Sequence, residues 1–145
     1  MKGRKPDLGN VIPMKGDAPK PVPEAPEIMS EEGRRVWDRL APIMARKDRL
    51  EEHHVEMFAV YCEAAADVMR FTIELLDYGF NYTVTTRNGQ QEKKRAAWGQ
   101  RQDALSTMRQ VSALFGMSPV DERRMASDGQ GDLLSMLEAQ LNGSH

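Results

Sequence analysis

Two long apolar stripes, separated by a short stretch of a different period, constrain this chain more than any other feature. Val55, Phe58, Cys62, Ala65, Ala66, Met69, Ile73 and Leu76 recur at helical spacing in one continuous line. They predict a helix from near Leu50 to about Asp77, on the order of 40 Å long. A second stripe, Ala97, Leu105, Met108, Val111, Leu114 and Phe115, predicts another helix over 92–115. A domain of 145 residues does not need so long a helix, so its length points to a helical hairpin or an assembly seam. Between the stripes, "YGFNYTVTTRNGQQ" breaks the helical period. Gly79 is placed to end the first helix, and Tyr82, Val84 and Thr86 alternate with Thr83, Thr85 and Arg87. Asn88-Gly89 is the strongest two-residue turn signal, so a small β-hairpin is expected at the tip of the helical pair. An irregular loop is the alternative.

The flanks carry their own punctuation. Ser30 reads as an N-cap, with Glu31 and Glu32 in the favourable first turn. Val36, Trp37, Leu40, Ile43 and Met44 continue a first helix that Pro42 can bend, and the chain turns around "RKDRL". Residues 1–27 hold six of the eight prolines and predict an extended or flexible basic arm. In "LFGMSPVDERR", Gly116 suits a helix end, Ser118 an N-cap and Pro119 a first helical position. That corner is expected to fold a short helix back on the hairpin or on a neighbouring subunit, where Arg123 can pair with acids of the second helix. "SDGQGD" at 127–132 reads as a linker, and 133–141 as a last short helix. The expected organisation is a 1–27 arm, a 28–126 helical domain and a 127–145 linker with a partner-binding helix. Aromatics are only 6% and the apolar residues are mostly Ala, Leu, Val and Met, which favours a mainly α fold.

Charge is segregated along the chain. Lys2, Arg4, Lys5, Lys15 and Lys20 dominate the arm, and Arg87, Lys93, Lys94, Arg95 and Arg101 dominate residues 87–101. Between them, Glu51, Glu52, Glu56, Glu63, Asp67, Glu74 and Asp77 make the second helix acidic. Either basic segment can touch a polyanion; solvated surface is the plainer reading. No phosphate-binding Gly-rich loop and no HExxH occur. His53 and His54 are adjacent and make a poor chelate, and the acids are scattered around a helix, so no catalytic, metal or cofactor site is expected. Cys62, the single cysteine, lies on the apolar stripe and reads as a small core residue. Trp98 can stack on a base, but packing is its plainer role. The basic N-terminus lacks the apolar core of a signal peptide, and no run approaches the roughly 18 apolar residues of a membrane span. The expectation is an intracellular protein.

The order of these signals resembles a known family. "MKGRKP" leads a Pro-rich arm, then come "SEEGRRVWDRLAPIM", "LEEHHVEMFAVYCEAAADV", "TRNGQQ" and "LFGMSPVDERRM". Together, over roughly residues 1–126, they look like the small terminase subunit of tailed double-stranded DNA phages. Two departures stand out: "QQEKKRAAW" comes after the Gly turn where the family often has Pro, and Glu51 or Glu52 stands where it usually has Asp. The resemblance implies a non-catalytic protein that binds viral DNA at the packaging start. It also implies a ring, of roughly eight to ten copies, that brings in the large ATPase and nuclease subunit in the host cytoplasm.

On that reading, the arm residues Lys2, Arg4, Lys5, Lys15 and Lys20 are the first candidates for DNA contact. Arg87, Lys93, Lys94 and Arg95 are the second. Phe58, Met69, Leu105, Met108 and Arg123 are expected at the seams between subunits. Leu133, Leu134, Leu137 and Leu141 form a narrow stripe suited to a groove on the large subunit. A dimeric helical transcription regulator is the alternative, although the acidic start of the second helix is wrong for a major groove. A metal-dependent nuclease would need clustered carboxylates, and these are spread out.

Overall fold

The computed structural model describes residues 19–142, apart from some side chains near the C-terminal end. Its elements run α1 (Glu31–Arg46), a 3-10 turn (Glu52–His54), α2 (Val55–Tyr78), β1 (Asn81–Thr86), β2 (Gly89–Lys94), α3 (Ala96–Leu114) and α4 (Pro119–Asn142). The fold is mainly α with one antiparallel two-stranded hairpin, as the sequence predicts.

α1 and α4 begin, and α1 and α3 end, where local chemistry dictates. Ser30 caps α1, its Oγ accepting from the Gly33 N–H at 3.0 Å. The same hydroxyl donates to Glu63 Oε2 at 2.8 Å, and the Ser30 N–H donates to Glu63 Oε1 at 2.7 Å. The cap therefore also latches α1 onto α2. Any side chain at position 33 would collide with the Glu63 carboxylate. Asp48, at φ 57°, ends α1 with paired bonds, Asp48 N–H to Ala45 O and Arg49 N–H to Met44 O. Gly116, at φ 60°, ends α3 in the same way, with Gly116 N–H to Ala113 O and Met117 N–H to Ser112 O. Ser118 then caps α4, its Oγ accepting from the Asp121 N–H at 3.1 Å.

The core sits at the base of the helical pair. Phe58 is fully enclosed, with Trp37 of α1 at 5.0 Å and Phe115 beyond α3 at 5.4 Å, both edge-on. Such pairs add about 0.5–1.5 kcal/mol each beyond the area they bury. Val36, Ala41, Met44, Leu50, Val55, Ala59, Cys62 and Val111 also belong to the cluster. Ala25 packs against it and Met29 lies within it, so order begins before Ser30. α3 runs back along α2, and the β-hairpin stands at their far end.

Three boundaries differ from the sequence expectation. A 3-10 turn precedes α2, so the helix starts at Val55 rather than near Leu50. Residues 92–94 belong to β2, and α3 starts at Ala96. Residues 127–132 are helical, so no linker separates α4 from the last leucines. Gly costs a helix only about 1 kcal/mol relative to Ala, and this stretch contains no proline. The turn of the hairpin is also shifted by one residue. Its corner is Arg87-Asn88, and Gly89, at φ 107°, opens β2 opposite Thr86.

Candidate nucleic-acid interface and assembly surfaces

The hairpin disperses the basic run that the sequence shows as a block. Tyr82 pairs with Lys93 and Asn81 with Lys94, so the two lysines stand on opposite faces of the ribbon. Lys94 lies over the half-buried Trp98 ring, 4.6 Å from its centroid. Arg95 is occupied at the root of the hairpin. Its Nε donates to Tyr78 O at 3.0 Å and its backbone N–H to Phe80 O at 2.9 Å. Its guanidinium also lies 5.7 Å from the Tyr78 ring and 5.8 Å from that of Tyr82. Arg95 thus clamps the ribbon onto α2, so the four cations of the run are spread over both faces of the ribbon and its root. Arg87 at the turn and Lys93 are exposed without ion pairs among the described residues.

The other basic candidate lies far from this tip. Lys20 pairs with Asp48, in the loop before α2. The hairpin adjoins the opposite end of that helix, roughly 35 Å away along its axis. Lys2, Arg4, Lys5 and Lys15 lie outside the described residues.

The residues expected at the seams divide. Phe58 is spent in the chain's own core and has no surface to offer a second copy, a correction forced by Trp37 and Phe115 closing over it. Met69 is 63% exposed, and Ile73 and Leu76 continue down the same side of α2 at 56% and 75%. Met69 and Ile73 lie beside the first half of α1, yet the line stays exposed. Leu105 and Met108 are half-buried on α3. Arg123 is exposed and makes no ion pair among the described residues. Its neighbour Glu122 holds the corner instead. Glu122 pairs with Lys47 and lies 3.6 Å from Arg49, whose Nη1 donates to Gly116 O at 2.7 Å. The Lys47 hydrogen bond, with its charge, pulls the Glu122 carboxyl below its ordinary value. No local sequence signal links Arg49 to Gly116 or Ser30 to Glu63; both latches are tertiary.

On α4, Leu134 and Leu137 are exposed, and the side chains of Leu133 and Leu141 lie outside those described. His54 is structural: its Nδ1 accepts from the Glu51 N–H at 3.1 Å and its ring meets Phe115 edge-on. Among the described residues no three His, Cys, Asp or Glu side chains converge to hold a metal ion. No helix among them is long and apolar enough to cross a membrane. Burial and nearby Glu63 push the Cys62 thiol up to about 12, which keeps it protonated at neutral pH.

No curated protein and no solved structure matches the chain significantly. A family model does: that of the phage terminase small subunit aligns with residues 33–132, from the first turn of α1 into α4. With the helical hairpin, its ribbon tip and the Gly-Ser-Pro corner all inside the matched span, the chain belongs to the family of phage terminase small subunits.

Proposed function

We propose that this protein is the DNA-recognition component of a genome-packaging machine. It binds viral double-stranded DNA at the packaging start and assembles into a closed ring of roughly eight to ten copies, a geometry that one repeated heterologous contact produces when its rotation closes. The ring recruits and stimulates the large subunit, which supplies ATPase and nuclease activity in the cytoplasm of the infected cell, while this chain performs no catalysis. The observation that carries the reading is the bare apolar line of Met69, Ile73 and Leu76 on a helix longer than its own core requires, within a chain of this family. Exposed apolar side chains in a contiguous line mark a protein contact.

DNA contact rests on the arm, Lys2, Arg4, Lys5, Lys15 and Lys20, with Arg87 and Lys93 of the tip as the second surface. Leu133, Leu134, Leu137 and Leu141 dock in a groove of the large subunit. Native mass and a DNA titration over several salt concentrations test the reading together. The wild type is expected as a ring at micromolar concentration. Deletion of residues 1–27 is expected to flatten the salt slope by about 0.9 for each phosphate that the arm neutralises. A monomeric wild type ends the assembly reading, and an unchanged slope removes the arm from the DNA contact.

A further inference from the structure

α2 turns two uncovered sides outward, and they differ in charge. At about 100° per residue, Glu56, Val60, Glu63, Asp67 and Phe71 fall on one side, while Met69, Ile73 and Leu76 fall on the opposite one. The first side forms the floor of a groove of about 690 Å³. Asp103 and Ala104 of α3 form one wall, and Ile28, 96% exposed, stands at its rim. The second side is bordered by α1, which lays Arg35 and Arg39 beside Met69 and Ile73.

The charges that remain free are complementary. Glu63 is bound by Ser30, and Asp67 is bound by Arg70 at 2.5 Å. Glu56 and Asp103 have no ion pair among the described residues, which leaves the groove with two unspent carboxylates. On the other side Glu32 is held by Arg70 at 3.6 Å. Arg39 has no ion pair among the described residues, and Arg35 has only an exposed i,i+4 partner, Glu31, a kind of pair that contributes little.

We propose that the acidic groove of one copy receives the Arg35–Arg39 edge of the next, with Met69 and Ile73 packing on Val60, Phe71 and Ile28. This rests on the assembly reading above and says which surfaces meet. Because the two surfaces are different and lie on opposite sides of one helix, each copy has a free donor side after using its acceptor side. Such contact propagates head to tail and closes into a ring when the rotation from copy to copy completes a turn, which a two-fold dimer contact does not do. Charge sets the register, and the apolar residues supply the buried area.

The test is a charge exchange read by native mass and sedimentation. R35E/R39E alone and E56K/D103K alone each place like charges face to face, and each is expected to weaken association at least about 100-fold. The four-fold variant restores complementarity in every copy, and an equimolar mixture of the two double variants restores it alternately. Both are expected to recover ring-sized particles. If R35E/R39E loses its helical circular dichroism, R35Q/R39Q replaces it, with about a ten-fold weakening expected. A monomeric wild type would sink the assembly reading itself. A wild-type ring with double variants that assemble as well as it does, or with a folded four-fold variant no better than the double ones, overturns this pairing of surfaces and leaves the ring standing.

Discussion

A single methyl group at Gly116 tests whether Arg49 and a left-handed backbone together hold the corner between α3 and α4. The backbone there has φ +60°, where an L-residue costs about 1–2 kcal/mol. A Cβ would also meet Met125 Sδ at 2.5 Å and Arg49 Nη1 at 3.0 Å. The Met125 side chain can swing aside. Arg49 cannot move freely, since its side chain is only 16% exposed and its Nη1 donates to Gly116 O at 2.7 Å. A hydrogen bond to a charged group contributes about 1.5–3 kcal/mol. Backbone strain with partial loss of that bond gives about 2–4 kcal/mol for Gly116→Ala. At a urea slope of about 2 kcal/mol/M, the unfolding midpoint falls by about 1–2 M. Gly99→Ala is the control: it lies in α3 with nothing within 4 Å of an added Cβ, so alanine is expected to hold or raise the midpoint. Both are measured at one protomer concentration, because assembly stabilises by mass action. A Gly116→Ala midpoint equal to that of wild type would show that neither the strain nor the Arg49 contact exists.

The same geometry sets three further outcomes. Gly131→Ala, inside α4 with open space around it, is expected to raise helical circular dichroism, whereas an unchanged spectrum would favour the linker over the helix. Cys62 is enclosed and its thiol is raised to about 12, so native protein is expected to resist iodoacetamide while urea-unfolded protein labels fast; prompt native labelling would contradict the burial. Glu122 titrates below its ordinary 4.5 because Lys47 stabilises the carboxylate, so its contribution is present above that value and fades as pH falls through the lowered one. Glu122→Gln is therefore expected to be less stable than wild type near neutral pH and to converge with it in acid; a gap that persists in acid counts against the ion pair.

Much of this protein is local and therefore readable without coordinates. The Ser30 cap, the Gly79 stop, the ribbon near Asn88-Gly89 and the Gly116–Pro119 corner all depend on chemistry within a few residues, and the structure realises each of them. Periodicity likewise marks one face of α2 as apolar. It cannot say what covers that face. Phe58 and Met69 lie on the same stripe, yet Trp37 and Phe115 enclose the first while Met69 stays 63% exposed. The run Lys93-Lys94-Arg95 reads as one basic patch, but the pleat sends the lysines to opposite faces and the hairpin root captures the arginine. The glycines at 129 and 131 suggest a break, yet a helix tolerates them at about 1 kcal/mol each. Spacing along the chain sets which side chains share a face. Only packing between residues far apart in sequence, as in Ser30 with Glu63 or Arg49 with Gly116, decides which faces are spent inside the fold and which stay free for DNA or another copy.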